Sequence, residues 1–367
     1  MSTNLSRSQK NSYFMNLALM QAKINLGNTK ENPSVGCIIV NKNNVISAGH
    51  TGFNGRPHAE INAINSSKKK IKNSSIFVTL EPCVHYGKTP PCVNTIIQKK
   101  IKNVYFSLND PDPRTFNKSK KKFNNKKIKV FNNINKSKIK KFYKSYIISK
   151  KKSLPFLTAK LAVSKDYYSK SIKNYWITNI YSRGRVHLMR SNHDCILTSI
   201  KTIKADNPML TCRISGLEDT SPARIILDKD LNIPISSRIV KSAKYYPTYV
   251  FFNKFIKRKV IKLKKFKVKL VQIPITSDKN LDLIKVLFKI KLLGFSRIFL
   301  ESGVNLTSSF LNKNLVNEFH LFISNKKLGL KGKMSFKNTL KKFLINKRKL
   351  RNNVYLFGDK LISYNIK

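Results

Sequence analysis

The first half of the chain carries one histidine and two cysteines whose spacing could hold a metal ion. His58 lies in a Pro-His-Ala-Glu segment, Cys83 in a Glu-Pro-Cys segment, and Cys92 follows two prolines. Three protein ligands of these types leave the fourth position of a tetrahedral zinc ion open for water, which distinguishes a catalytic zinc site from a structural one. His58, Cys83 and Cys92 are therefore the predicted zinc ligands.

Glu60 stands two residues after His58, at the start of a predicted helix, where its carboxylate can face water at the metal without binding the metal itself. Zinc lowers the pKa of bound water from about 15.7 to about 7. Glu60 would take a proton from this water and deliver it to a ring nitrogen and to the departing ammonia. The residues thus predict a hydrolytic zinc deaminase with Glu60 as its catalytic residue.

The order His-Ala-Glu, Pro-Cys and a second cysteine resembles the cytidine deaminase superfamily. Most members separate the two cysteines by two residues, whereas eight residues separate them here. That longer segment, the Asn-Pro-Ser-Val-Gly-Cys turn at 32–37 and the Asn-Asp-Pro-Asp-Pro loop at 109–113 are similar to the riboflavin-pathway pyrimidine deaminase. We expect the substrate to be bound by Asn32, His85 and Lys88.

The second half shows no G-x-G-x-x-G after a predicted strand, so a Rossmann dinucleotide site is not supported. A predicted strand at 297–300 instead runs into a Glu-Ser-Gly-Val-Asn turn that opens a helix. Free backbone N–H groups and the helix dipole at such a turn can hold a pyrophosphate. The turn therefore indicates a nucleotide cofactor in this half.

Segments at 176–178, 196–199, 205–211 and 224–228 resemble the riboflavin-pathway reductase, which has a dihydrofolate-reductase-like fold and uses NADPH. The resemblance implies cofactor contacts at Ala162, Trp176, Thr202, Asp206, Gly303, Val304, Asn305, Leu306, Thr307, Ser308 and Ser309. It implies substrate contacts at Asn174, Arg190, Leu210, Arg213 and Glu301. The forked donors of the two arginines suit a ribose 5-phosphate.

The second half also departs from that family's pattern. The usual Ser-Leu-Asp-Gly is replaced by a segment that ends in Tyr167, and Asn174, Lys229 and Ser302 stand where the family has serine or a small residue. A tyrosine in place of glycine matters if the turn needs a positive φ. A deaminase with an inactive reductase domain therefore remains an alternative.

The elements that must position these residues alternate between helix and strand in both halves. The pattern predicts helices at 14–24, 59–65 and 92–99 and strands at 35–40, 75–80 and 104–107, and a second α/β pattern begins at Pro155. We expect an α/β fold with a cytidine-deaminase-like three-layer domain at 1–150 and a dihydrofolate-reductase-like domain at 151–367. The Lys/Asn-rich segments 118–129 and 136–152 are predicted to be solvated edges or linker.

Composition sets the remaining limits. A chain of 367 residues with 41% apolar residues can fold as two domains. No apolar run approaches the roughly 18 residues of a membrane helix. The N-terminus lacks a secretory signal and the five cysteines are an odd number, so we expect a cytoplasmic enzyme.

The net charge of +56 would attract nucleic acid. Lys, Asn and Ile are abundant throughout the chain, however, so we interpret the charge as a result of AT-rich coding drift and not as a nucleic-acid-binding surface.

The combined expectation is a bifunctional enzyme of riboflavin biosynthesis. It would deaminate a pyrimidine ribonucleotide with Zn²⁺ and then reduce its ribosyl group with NADPH. We expect a small-molecule substrate, a homo-oligomer, and neither a membrane nor a specific nucleic acid as partner. The alternatives are a tRNA-type nucleic-acid deaminase, which would more often have a short gap between its cysteines, and a decayed protein kept as a binding partner, which would show a broken ligand set.

Overall fold

The chain divides into two compact units, Met1–Ser153 and Leu154–Lys367, in a computed structural model that describes residues 5–172, 176–351 and 353–367. The boundary lies three residues beyond the predicted one at 150/151. Within the described ranges, no helix has both the length and the apolar character that crossing a membrane requires.

The first unit is built on a five-stranded sheet with the order β2-β1-β3-β4-β5. The strands are β1 (Gly36–Asn41), β2 (Asn44–His50), β3 (Ser75–Leu80), β4 (Asn103–Leu108) and β5 (Lys129–Phe131). β1 runs antiparallel to both of its neighbours, whereas β3, β4 and β5 are mutually parallel. The carboxyl ends of β3 and β4 therefore lie at one edge of the sheet, where their connecting loops can meet.

Helices cover this sheet, and the backbones of two of them pack closely against the strands. They are α1 (Arg7–Ile24), α2 (Ala59–Asn65), α3 (Cys92–Gln98), α4 (Ser119–Asn124), α5 (Lys136–Phe142) and α6 (Lys144–Lys152). Two strand glycines permit the packing: a Cβ on Gly36 would lie 1.9 Å from the Ala18 carbonyl oxygen of α1, and one on Gly49 would lie 2.4 Å from the Ala63 nitrogen of α2. Any larger residue there would push a helix off the sheet.

The segment 136–152 is not the solvated linker that its composition predicts. It forms α5 and α6, and the side chains of Ile139, Tyr143 and Tyr146 are buried in the core of the first unit. The prediction holds for the exposed lysines but is wrong for these apolar residues. Three large apolar groups among many lysines are enough to dock two short helices, because lysine stems cover the remaining surface.

The second unit contains a nine-stranded sheet with the order β11-β10-β9-β8-β12-β6-β13-β16-β15 and a separate pair, β7-β14. Its strands are β6 (Phe156–Val163), β7 (Tyr168–Ser171), β8 (Cys195–Ser199), β9 (Ala223–Leu227), β10 (Thr248–Phe252), β11 (Lys269–Gln272), β12 (Arg297–Glu301), β13 (Glu318–Ile323), β14 (Gly332–Ser335), β15 (Lys349–Leu350) and β16 (Lys360–Asn365). From β11 to β13 all neighbours are parallel; β16 and β15 are antiparallel.

Two apolar clusters fill the space on the faces of this sheet, and seven α-helices accompany it within residues 154–172, 176–351 and 353–367. They are α7 (Ile180–Ser191), α8 (Ile200–Asp206), α9 (Arg238–Lys241), α10 (Lys257–Lys265), α11 (Leu283–Leu292), α12 (Val304–Asn312) and α13 (Lys337–Phe343). α8 follows β8 directly and α12 follows β12 after two residues. Both helices thus begin at the carboxyl edge of adjacent parallel strands, where α/β proteins bind their ligands.

Candidate active sites

His58, Cys83 and Cys92 form a compact cluster in the first unit. Their ligand atoms all lie within 4.8 Å of one another. His58 Nδ1 is 3.3 Å from Cys92 Sγ and 3.6 Å from Cys83 Sγ. One imidazole and two thiols that converge on a common point are a donor set for zinc, so these residues fit the metal that the sequence predicts.

Local structure fixes each of the three donors. His58 is the N-cap of α2, and Cys92 is the first residue of α3 after Pro91. The Cys92 N–H donates to Cys83 Sγ at 3.3 Å, so the start of α3 orients the loop cysteine. A hydrogen bond from the Cys92 thiol is the main reason why the pKa of Cys83 is lowered to about 4. Thiolate is the form that binds a metal.

Glu60 lies in the first turn of α2 and is 4% exposed. Burial raises the pKa of this carboxyl to about 7, and the neighbouring His58 opposes the rise. Its side chain also interacts with the Cys92 thiol. A buried carboxyl that gains and loses a proton near neutral pH, next to a metal donor set, has the properties of a general acid–base catalyst.

The predicted substrate-binding residues of the first unit lie on loops. Asn32 Nδ2 donates to the Gly55 carbonyl oxygen at 3.0 Å, so this amide holds the turn that precedes His58. His85 Nδ1 is 3.0 Å from Thr115 Oγ1, and Lys88 is exposed.

Glu81 is a residue that the sequence reasoning missed. It is buried, and its two carboxylate oxygens accept from the backbone N–H groups of Asp110, Asn117 and Ser119 at 3.0–3.2 Å. It ties the loop after β4 to the strand end that leads to Cys83. A glutamate directly after an apolar strand was the available signal.

In the second unit, Arg190 and Glu301 form a bidentate ion pair. Arg190 Nε and Nη2 donate to the two carboxylate oxygens of Glu301 at 2.9 and 3.0 Å. Lys160 Nζ lies 3.7 Å from the same carboxylate. Burial alone would raise the pKa of Glu301, but the charges of Arg190 and Lys160 outweigh it and lower the pKa to about 2. Arg190 also donates to the Thr211 carbonyl oxygen at 2.9 Å. Nε, Nη1 and Nη2 of Arg190 thus each donate to a group of the protein, and its contact with the substrate stays a prediction.

Lys160 and His187 belong to this cluster and were missed from the sequence. Lys160 sits in the middle of the apolar strand β6, which was the available signal. The Arg213 backbone N–H donates to His187 Nδ1 at 3.1 Å. Burial, together with Arg190 and Arg213, lowers the pKa of His187 to about 4. His187 is therefore neutral at physiological pH.

Two other predicted substrate residues lie on the chain next to this cluster. Leu210 is buried and has a φ of +54°, a left-handed conformation that is rare for leucine. Arg213 is exposed, and its pKa is lowered by partial burial and by the charge of Arg190. Among the described residues, its guanidinium has no hydrogen-bond or ion-pair partner, so of the two predicted arginines it is the one with all its donors available to an anion.

The predicted cofactor turn is the start of α12. Gly303 is the N-cap, no side chain caps the helix, and a Cβ placed on Gly303 would meet nothing within 4 Å. Val304 and Thr307 are buried, whereas Asn305 and Ser309 are exposed. An open N-terminus with space above its glycine fits a pyrophosphate. The remaining members of the predicted turn are Leu306, which is half-buried, and Ser308, whose Oγ is 3.0 Å from Thr339 Oγ1.

Three of the other predicted cofactor residues lie on β6 or on α8, which follows β8, and β6 and β8 are the two neighbours of β12. Ala162 lies in β6, and the backbone N–H of Thr202 donates to Ser199 Oγ at the start of α8. Asp206 is the last residue of α8. Trp176 is 56% exposed, with the Arg183 guanidinium 4.7 Å above its ring. Asn174 lies outside the described residues.

The turn in which tyrosine replaces glycine does require a positive φ. Tyr167 has a φ of +68°, its N–H donates to the Ser164 carbonyl oxygen at 2.9 Å, and its own carbonyl accepts from Phe336. The left-handed conformation costs a non-glycine residue about 1–2 kcal/mol. Hydrogen bonds on both sides and packing of the ring against the core hold Tyr167 there.

Comparison with known proteins assigns both units. The family model described as RibD C-terminal domain matches residues 155–354, and the one described as cytidine and deoxycytidylate deaminase zinc-binding region matches residues 8–108. The riboflavin biosynthesis protein RibD of Aquifex aeolicus is 31% identical over 356 residues, which cover 96% of this chain and 97% of the relative. RibD of Escherichia coli K12 is 29% identical over 330 residues, 86% of this chain and 88% of the relative.

Solved structures of the same family match this chain over nearly its whole length. A protein from Thermotoga maritima, described as a diaminohydroxyphosphoribosylaminopyrimidine deaminase/5-amino-6-(5-phosphoribosylamino)uracil reductase, is 27% identical, and its TM-score is 0.84 over 99% of this chain and 100% of that chain. RibD of Acinetobacter baumannii is 26% identical with a TM-score of 0.84 over the same shares of both chains.

Proposed function

Because this chain belongs to the RibD family of riboflavin-biosynthesis proteins, we propose that its two units catalyse successive steps on one pyrimidine ribonucleotide. The predicted fold class, the two predicted activities and the predicted cofactors, Zn²⁺ and NADPH, are confirmed by that membership. The first unit deaminates 2,5-diamino-6-(5-phosphoribosylamino)pyrimidin-4-one. The second reduces the ribosyl group of the resulting 5-amino-6-(5-phosphoribosylamino)uracil to ribityl.

In the first unit, His58, Cys83 and Cys92 hold the zinc ion. When bound, zinc supplies a Lewis acid that makes water a nucleophile at neutral pH. The Glu60 carboxylate takes one proton from the attacking water and delivers it to the ring nitrogen. It then takes the remaining proton of the newly added hydroxyl group, which becomes the ring carbonyl, and delivers it to the amino group that leaves as ammonia. One C–O bond forms and one C–N bond breaks. The observation that carries this role is the buried Glu60 carboxyl beside the three donors, with its pKa raised to about 7.

Asn32, His85 and Lys88 orient the nucleotide in this unit. Burial lowers the pKa of His85, so its imidazole is neutral at physiological pH. A neutral imidazole held by Thr115 can accept from or donate to a base edge, whereas the exposed Lys88 ammonium suits an anionic group. The Asn32 amide is shared with Gly55, so it positions the turn as well as the substrate.

In the second unit, NADPH when bound would supply the hydride that reduces C1 of the ring-opened ribose, and a proton from water would complete the reduction. The turn from Gly303 to Ser309 holds the pyrophosphate, and Ala162, Trp176, Thr202 and Asp206 contact the rest of the cofactor. Glu301, kept ionised by Arg190 and Lys160, accepts from ribose hydroxyls. Arg213 takes the 5-phosphate, because the Arg190 guanidinium is occupied by Glu301. Asn174 and Leu210 complete the substrate contacts.

We place this enzyme in the cytoplasm as a homo-oligomer. All five cysteines are free and four of them are buried, as suits a reducing compartment. An exposed aromatic cluster of Tyr181, Tyr355 and Phe357, with ring centroids 4.0 and 4.8 Å apart, offers apolar surface for self-association. Light scattering of the purified chain measures its mass in solution, and a monomer would contradict the proposed assembly.

A coupled assay on zinc-loaded protein tests the activities. The diaminopyrimidine nucleotide is supplied with NADPH, and ammonia and NADPH absorbance are followed together. Release of ammonia before loss of NADPH is the expected result. Ammonia without NADPH oxidation would mean an inactive second unit, and neither signal would refute the proposal and leave a nucleic-acid substrate as the next to test.

A further inference from the structure

Arg56 lies at the mouth of the zinc-ligand cluster. Its Nη1 is 3.5 Å from His58 Nε2 and donates to Thr89 Oγ1 at 2.5 Å. Its Nη2 lies 3.8 Å from the position that a Cβ on Gly87 would occupy. The guanidinium therefore spans the space between the ligand histidine and the loop that carries Lys88.

Within the part of the chain that the structure describes, no carboxylate pairs with this guanidinium. No carboxylate among the described residues lies within 4.0 Å of Arg56, and the Lys88 ammonium has neither a hydrogen bond nor an ion pair with them. Arg56 is half-buried and fixed by Thr89. A fixed, unpaired arginine beside an unpaired lysine is an arrangement that favours an anion.

The donors of Arg56 are only partly used within the protein. His58 Nδ1 faces both thiols, so the ring nitrogen that lies 3.5 Å from Arg56 Nη1 is on the side away from the ligand cluster. A guanidinium has five N–H donors and no acceptor. Among the described residues Thr89 takes one of them, which leaves N–H groups of the fork for an acceptor from outside the protein.

We propose that Arg56 binds the 5-phosphate of the pyrimidine ribonucleotide during deamination and makes the first unit select nucleotides over nucleosides. This inference rests on the deaminase activity proposed above. Arg56 offers two N–H groups of a planar fork to the phosphate oxygens, and Lys88 adds a point charge from the loop. Thr89 pre-organises the fork, so little side-chain entropy is lost on binding.

The test compares two substrates on three variants. Arg56→Gln keeps a donor for Thr89 but removes the charge, Arg56→Lys keeps the charge but removes the fork, and Lys99→Gln removes an exposed charge just after the far end of α3. Each is assayed for ammonia release from the nucleotide and from its dephosphorylated riboside. For the nucleotide, kcat/KM falls about 10- to 100-fold in Arg56→Gln, the range of a charge-assisted hydrogen bond. Arg56→Lys recovers part of this loss, and Lys99→Gln matches the wild type.

The riboside decides between phosphate binding and an effect through His58. If Arg56 binds the phosphate, Arg56→Gln leaves riboside turnover and the zinc content of the protein unchanged. An equal loss on both substrates, or loss of zinc, overturns the proposal, because Arg56 would then act on the metal site.

Binding of ribose 5-phosphate separates this proposal from the proposed deaminase activity. Calorimetry is done on zinc-loaded chains that carry Arg213→Met and are saturated with NADPH, so that the sugar-phosphate site proposed at Arg213 is removed and the pyrophosphate site at the start of α12 is filled. Addition of Arg56→Gln weakens the remaining binding if Arg56 holds the phosphate. Unchanged binding overturns the assignment even if the wild-type chain releases no ammonia.

Discussion

Replacement of Arg190 by methionine should expose the energetic role of the ion pair in the second unit. Arg190 holds both carboxylate oxygens of Glu301, and the two side chains are only 10% and 16% exposed. Methionine fills much of the same volume without a charge. After the substitution, the Glu301 carboxylate keeps a single cationic neighbour, Lys160 at 3.7 Å.

The expected cost is several kcal/mol. Removal of one partner from a buried ion pair typically destabilises a protein by about 3–5 kcal/mol, because a charge is left without compensation. The pKa of Glu301 points to a figure of the same order. Arg190 and, to a smaller extent, Lys160 hold this pKa at about 2 instead of 4.5 against the effect of burial, and at about 1.4 kcal/mol for each pH unit the net shift corresponds to about 3 kcal/mol. We therefore expect Arg190→Met to lower the free energy of unfolding by about 3 kcal/mol at neutral pH.

The chain contains a single tryptophan, Trp176, and it lies in the second unit. Tryptophan fluorescence during urea unfolding therefore reports on that unit alone. The pKa of Glu301 is depressed in the folded state, so its stabilising contribution is present above pH 4.5 and is lost as the pH falls from 4.5 towards 2. The difference in stability between the wild type and Arg190→Met should shrink over the same pH range.

Arg213→Met is the matched control, since it removes a guanidinium that is exposed and has no partner among the described residues. We expect it to change stability by no more than about 0.5 kcal/mol. Ammonia release by the first unit serves as an internal check that each variant is otherwise folded. A cost below about 1 kcal/mol for Arg190→Met, the value of an exposed pair, or a cost independent of pH, would refute the reasoning.

Three further substitutions test the two sites and one buried hydrogen bond of the first unit. Glu60→Gln should keep stoichiometric zinc by metal analysis but lower ammonia release by about 10²- to 10⁴-fold, the usual contribution of a general acid–base group; full activity would exclude the role. Tyr146→Phe removes the hydroxyl that donates to the buried Asp110 at 2.9 Å and should destabilise the first unit by about 1–3 kcal/mol in thermal unfolding; an unchanged Tm would mean that water replaces the hydroxyl. Gly303→Val places a side chain where the structure leaves space, so stability should hold while the KM for NADPH rises; an unchanged KM would move the cofactor away from α12.

The zinc donors and their supporting elements could be predicted because local sequence determines them. Prolines before His58 and Cys92 set helix starts, and the predicted helix at 59–65 and strand at 75–80 have the bounds that the structure shows. Apolar periodicity and proline act over a few residues. A site assembled from helix starts and one loop is therefore visible in sequence, even though only the fold brings its ligand atoms within 4.8 Å.

The partners of charged residues could not be predicted, because they depend on contacts between distant segments. Arg190 and Glu301 are 111 residues apart, and their pairing requires α7 to pack across the end of β12. The sequence around an arginine does not distinguish a guanidinium that binds a phosphate from one that binds a carboxylate. The strand β2 was not predicted, for a related reason. Most of its side chains are half-exposed, so it has little apolar pattern, and its pairing with β1 holds it in place.

The positive φ of Tyr167 shows where a family pattern carries information that propensity lacks. Propensity alone places tyrosine in a strand, since left-handed conformations are rare for aromatic residues. The usual glycine at this position pointed to the correct backbone, and the chain keeps that backbone with a less suitable residue. Asp166 explains how: its carboxylate accepts from the N–H groups of Leu328 and Gly329 at 2.8–3.2 Å, so the turn is fixed from the opposite loop.

The distribution of the few acidic residues explains how a chain of charge +56 retains two ordered sites. Of 17 Asp and Glu residues in all, seven are buried, although carboxylates are seldom buried in proteins. They are Glu60, Glu81, Asp110, Asp112, Asp194, Asp228 and Asp359. Most accept from backbone N–H groups, as Asp194 does from Ser296 and Arg297 at 2.6 and 2.8 Å. A buried donor left without its acceptor costs about 1–3 kcal/mol, whereas loss of an exposed carboxylate costs little. Exposed lysines therefore set the surface charge, while the buried carboxylates hold loops and sites in place.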